Sequence, residues 1–114
     1  MIKTNKLVRP KVMVIPCENV DIERFSSDNK RKMYLHIMKC IQYAFDRSED
    51  MIEIFMFAGT NYFVILHRKD YISSLEHIFS YFMENELYEE CSKIKAVKDK
   101  LVSYSINIKS NFLT

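Results

Sequence analysis

Three histidines, three cysteines and several clusters of charge are the residues of this 114-residue chain with the means to do chemistry. His36, His67 and His77 stand far apart. Neither an H-x-x-x-H nor an H-E-x-x-H pair occurs, so nothing brings two imidazoles to one helix face to hold a metal. Each is expected to be an ordinary satisfied or solvated histidine, with His67, at the end of a β-prone run, the one placed to line a cleft. Cys17, Cys40 and Cys91 form no C-x-x-C pair, which removes the usual signature of a structural zinc site. A nucleophilic thiol wants a partner base or a helix N-terminus. Cys40 and Cys91 fall on apolar helical faces and read as inert core thiols; Cys17, after Pro16, is the one in a loop. The chain has a single glycine, Gly59. That excludes the G-x-S-x-G nucleophile elbow, and the phosphate loops and dinucleotide fingerprints that need several glycines for close backbone approach. No catalytic residue, metal or cofactor is assigned, and the protein is expected not to be an enzyme.

The charged residues offer two kinds of contact. Glu84, Glu86, Glu89 and Glu90 cluster around one turn, where an exposed acidic tip would meet a basic partner; carboxylates opening a helix also complement its dipole. Lys93, Lys95, Lys98 and Lys100 lie further along the same helix, where the dipole accounts for them equally well. A second basic group combines Lys3, Lys6, Arg9 and Lys11 with Lys30, Arg31 and Lys32, the charges that phosphate contacts require. The formal net charge is +2, lower than that of most dedicated nucleic-acid binders, and no aromatic residues interleave with these cations as a base-stacking platform would need.

The elements that must position these groups follow from periodicity. Hydrophobic residues make up 48% and charged residues 28%, enough for one modest core without disulfide staples. Lys, Ile, Asn, Tyr, Phe and Met are abundant and Ala, Gly and Pro scarce, the mark of an AT-rich gene. No apolar run approaches the ~20 residues of a membrane-spanning helix. The segment Met1 to Pro10 lacks the apolar stretch of a secretory signal, so a reducing, cytoplasmic location in a bacterium or an infected host cell is expected. Residues 1–11 are expected to be a flexible basic arm, 12–103 a single domain, and 104–114 a tail or edge strand. Val12 to Ile15 reads as a short strand that Pro16 stops or marks as an edge strand, and Glu18 to Phe25 as a connector with one helical turn. Ser26, Ser27 and Asp28 are candidate caps for a helix whose apolar residues Tyr34, Ile37, Met38, Ile41, Ala44 and Phe45 step by three and four. That helix should end between Arg47 and Asp50. Met51 to Phe57 and Tyr62 to His67 read as strands joined through Ala58-Gly59-Thr60-Asn61, both expected to be covered on both faces or central in their sheet. From Asp70 the period lengthens again. One apolar stripe runs Tyr71, Ile72, Leu75, Ile78, Phe79, Phe82 and Met83, another Leu87, Tyr88, Cys91, Ile94, Val97 and Leu101, with Asn85-Glu86 as the break. Two helices so closely linked must fold back on each other.

The stretch Ser73 to Leu101, above all Tyr88-Glu89-x-Cys91-Ser92-x-Ile94-Lys95 and the closing Leu101, resembles the UVR motif, a short helical hairpin of excision-repair proteins and of some adaptors of bacterial proteolysis. Ala96 stands where that motif usually has an acidic residue, and Lys98 where it has an aliphatic one. The resemblance implies a protein–protein contact module.

These observations predict an α+β fold, a small antiparallel sheet in the order β-α-β-β-α-α ending in a two-helix hairpin. The expected function is that of a small accessory or regulatory protein, phage- or virus-encoded, acting through protein–protein contacts. The partner would be another protein or a second copy, met by Tyr81, Glu84, Glu86, Tyr88, Glu89 and Lys95. The alternative is a nucleic-acid-binding protein using the basic arm and the last helix.

Overall fold

The computed structural model describes residues 8–17 and 21–113. The fold is α+β, four helices and a three-stranded sheet, and it ends in the expected helical hairpin. Where the sequence predicted one domain over 12–103, the chain divides after Arg68 into two compact units.

The first unit runs β1 (Met13–Ile15), α1 (Ile22–Asp28), α2 (Lys30–Asp46), β2 (Met51–Phe57) and β3 (Phe63–His67). β2 and β3 form the expected antiparallel hairpin. β1 lies on the other side of β2 and runs parallel to it, Met13 opposite Phe55 and Ile15 opposite Phe57. The sheet is therefore mixed, not antiparallel throughout as predicted. The reason is the connection: a helical crossover returns the chain to the end of the sheet from which it left, so the strands it joins run in parallel.

The connector before the long helix is itself helical. Asp21 caps α1, its Oδ1 accepting from the backbone N–H groups of Glu23 at 3.1 Å and Arg24 at 3.2 Å. Ser26, Ser27 and Asp28, expected as caps, lie inside α1 instead. α2 starts at Asn29, whose side chain caps nothing and donates back to the Phe25 carbonyl at 2.9 Å. α2 packs on β2, and Cys40, Ile41, Ala44, Ile52, Ile54 and Phe55 are among the buried core.

β2 carries a bulge between Glu53 and Phe55. Without it, alternation would put Phe55 on the outer face with Met51 and Glu53; the extra residue, Ile54, shifts the phase so that Ile54 and Phe55 are both buried. The Nε2–H of His36 donates to the Ile54 carbonyl at 2.7 Å, and its ring lies 5.7 Å from that of Phe55. The hairpin loop then reverses as predicted. Gly59 has φ +75°, while a Cβ there would meet nothing within 4 Å, so the backbone angle alone demands glycine. Thr60 braces the loop, its hydroxyl donating to Phe57 O at 2.8 Å and accepting from Tyr62 N–H at 3.1 Å.

In the second unit a single 3₁₀ turn, Arg68–Asp70, leads into α3 (Tyr71–Glu84) and then α4 (Tyr88–Leu113). The two helices pack on each other, with Leu75, Ile78, Phe82, Cys91, Ile94 and Leu101 buried. α4 continues over the segment expected as a tail or edge strand. No Gly or Pro follows Leu87 to stop it, and the alternation of Tyr104, Ile106 and Ile108 was too short to outweigh that.

α2 and α3 end in the same way. Glu49 N–H bonds Ala44 O at 2.8 Å and Ser48 N–H bonds Phe45 O at 3.0 Å; Leu87 N–H bonds Phe82 O at 2.8 Å and Glu86 N–H bonds Met83 O at 3.1 Å. Both are Schellman turns, whose left-handed position normally goes to glycine. Here it falls to Ser48 (φ 56°) and Glu86 (φ 57°). Glu86→Gly and Ser48→Gly are each expected to raise unfolding stability by about 0.5–1 kcal/mol, the left-handed penalty less the entropy of a glycine. Gly59→Ala should lower it by about 1 kcal/mol. Urea titrations of the three variants measure this.

Candidate functional site

The acidic tip lies where the sequence placed it. Glu84, Glu86, Tyr88 and Glu89 are all exposed around the α3–α4 turn, Tyr88 at 59%. Tyr81 is half-buried against Phe82, ring centroids 5.4 Å apart. Lys95 is exposed two turns beyond Tyr88 and on the same side of α4. Glu90, the fourth carboxylate, is buried and so does not belong to the tip. Of the residues that carry the UVR-like pattern, Cys91, Ile94 and Leu101 are buried in the hairpin. Packing alone explains those three, and Tyr88, Glu89, Ser92 and Lys95 are left on the surface. Lys98 pairs with Glu76 across the two helices at 3.8 Å.

A second surface went unforeseen. β2 and β3 were expected to be covered on both faces or central in their sheet; β2 is central, but β3 is an edge strand that alternates between exposed and half-buried. Ladder partners share a face, so Met51, Glu53 and Met56 of β2, Phe63, Ile65 and His67 of β3 and Val14 of β1 all point outward. Val14, Met51, Phe63 and Ile65 are 42–52% exposed. Glu53, the one charged residue inside either run, was the available signal for this face; Phe63 and Ile65 carried none.

The basic residues of the first unit come together in part. Lys3 and Lys6 lie outside the described residues. Within the segment expected as an arm, Arg9 is tied to the end of α2 and to the residues just beyond it. The Arg9 Nη1 contacts both carboxylate oxygens of Glu49, at 3.0 and 3.2 Å, and its guanidinium sits 5.6 Å from the centre of the Tyr43 ring. Burial works against the Arg9 charge, but Glu49 and Tyr43 together outweigh it and its pKa lies above the ordinary value. Between this segment and α2 is a cavity of about 350 Å³ lined by Val8, Arg9, Pro10, Lys11, Lys39, Gln42 and Tyr43. Lys39 and Gln42 are exposed positions of α2. Lys30, Arg31 and Lys32 occupy the first turn of α2, where no acidic residue stands. They are exposed and not part of the cavity wall.

The thiols and imidazoles behave as structural groups. His36 spends its Nε2 proton on the Ile54 carbonyl, and the Cys40 Sγ lies 3.5 Å from the same nitrogen. Burial pushes the Cys40 thiol up to about 11. Cys17 is half-buried and donates its S–H to the Ala58 carbonyl at 3.2 Å. His67 and His77 are exposed. No group of three metal-ligating side chains converges among the described residues, and no helix there is long and apolar enough to cross a membrane.

A thiol reagent at pH 8 is therefore expected to label Cys17 in the folded protein and to reach Cys40 and Cys91 only on unfolding, as peptide mapping would show. The raised Cys40 pKa also has a stability consequence. The unfolded thiol ionises first, so the native state loses ground as pH climbs from the ordinary thiol range to about 11. Cys40→Ala should make that alkaline loss shallower in urea titrations from pH 8 to 11. His36→Ala should cost about 1–3 kcal/mol by removing the hydrogen bond to the Ile54 carbonyl and the ring that packs on Phe55.

Comparison with models of known protein families, with curated proteins and with solved structures finds no match to this chain.

Proposed function

We propose that this chain is a small accessory protein that acts by protein–protein contact, not by catalysis, and that the outer face of its sheet is the principal contact surface. The observation that carries the reading is the row Val14, Met51, Phe63 and Ile65, all about half-exposed on one face of the sheet. Apolar side chains gathered on one surface are what a partner removes from water, at about 25 cal/mol for each Å² covered. Glu53 and His67 border the row and give a partner polar groups for orientation. The UVR-like pattern supports a contact role for the helical hairpin as well. There Tyr88 would be the anchor, with Glu84, Glu86 and Glu89 selecting a basic surface.

The test uses Phe63→Ser with Ile65→Thr, at positions exposed enough for the fold to persist. Sedimentation velocity across a hundredfold concentration range reads self-association. Affinity capture followed by hydrogen exchange reads other partners. The parent chain should self-associate or retain a partner, with protection on β3, and the double variant should lose this with its thermal transition intact. A parent chain that is monomeric and partnerless, or a variant that associates as the parent does, sinks the reading. A Tyr88→Ala, Glu89→Lys variant run in parallel reports on the hairpin separately.

A further inference from the structure

We propose that the cavity between residues 8–11 and α2 is a phosphate-binding site for a nucleic-acid backbone, independent of the sheet face. Its wall brings three cations, Arg9, Lys11 and Lys39, together with the Gln42 amide, and no carboxylate lines it. Arg9 is already engaged by Glu49 and by the Tyr43 ring. It serves to fix the segment, and Lys11 and Lys39 bring two further like charges beside a mostly apolar cavity, where they attract an anion.

The cations extend beyond the cavity. Lys32 lies seven residues before Lys39, on the same side of α2 and about 10 Å away along the axis. With Lys30 and Arg31 it stands in the first turn of α2, where the helix dipole disfavours positive charge. An anion lying along α2 would meet this charge as well. Lysines presented as separate point charges along a helix suit the repeated phosphates of a strand better than the fixed geometry of one small anion. The aromatic group at the cavity, Tyr43, is buried and flanked by Arg9 and Arg47, at 5.6 and 5.3 Å. It has no free face for a base, so the site reads backbone charge and not sequence.

Fluorescence anisotropy on the full chain tests this with labelled mixed-sequence 20-mers, single- and double-stranded, from 25 to 200 mM salt. A poly-glutamate peptide of matched length serves as the competing polyanion. Binding should weaken linearly with the logarithm of salt, by about 0.9 in slope for each duplex phosphate neutralised. Lys11→Gln with Lys39→Gln should reduce low-salt affinity at least tenfold and flatten the slope. Lys69→Gln, at an exposed position that does not line the cavity, should leave both nearly unchanged. Any one of four results overturns the site: no oligonucleotide binding at 25 mM salt, no effect of the Lys11/Lys39 pair, an equal loss in the Lys69 variant, or poly-glutamate binding as tightly as the oligonucleotides.

Discussion

The hydrogen bond from His36 to the Ile54 carbonyl holds the point on which the first unit turns. A bulge distorts the ladder locally, and a further hydrogen bond to it offsets part of that irregularity. His36 supplies this bond from the helix that packs on β2, tying α2 to the bulge. The bulge in turn decides which side of the sheet each later residue of β2 faces. It sends Phe55 inward against the His36 ring and leaves Met56 outward, opposite Phe63 and Val14. The buried face and the apolar outer face thus have one origin.

Much of the architecture was legible because it rests on local rules. Met51 to Phe57 is a strand at the predicted boundaries, Gly59 takes the positive φ of its turn, and the Asn85-Glu86 break separates two helices whose stripes pack as read. What escaped depends on partners distant in sequence. Nothing in Val12 to Ile15 says whether the strand runs with or against β2. M-I-E-I-F-M-F gives no sign of a bulge, because every residue around it is apolar except Glu53. α1 was read as one turn in a connector, shorter than it is, because its cap, Asp21, stands before a segment too short for a clear helical period. The surfaces divide in the same way. The acidic tip follows from adjacency in sequence, whereas the cavity needs residues 8–11 laid against Lys39 and Gln42, a pairing that no spacing encodes.

The two units also differ in how they use charge. In the hairpin, carboxylates gather at the turn and lysines further along α4, so both signs are present, and at least one pair, Lys98 with Glu76, joins the helices. Exposed pairs of this kind contribute little to stability, and they keep an aromatic-rich hairpin wet on its outer side. In the first unit, the first turn of α2 holds cations alone, so its field is less balanced. The contact surfaces inherit this contrast. The outer sheet face offers apolar area with few charges, the hairpin tip offers carboxylates, and the α2 side offers lysines.

The parallel pairing of β1 has a consequence for how the chain is made. Met13 must wait for Phe55, 42 residues later, before it has a ladder partner, and the crossover between them has to form in the interval. The β2–β3 hairpin and the α3–α4 hairpin need only neighbouring sequence. On a ribosome, the first strand to emerge is thus among the last to be paired in its sheet. Until then its edge, Met-Val-Ile, is open to any strand that passes, with Pro16 just beyond it to limit how far a wrong partner can extend. Closing that long loop, not forming either hairpin, is the slow and exposed part of assembly.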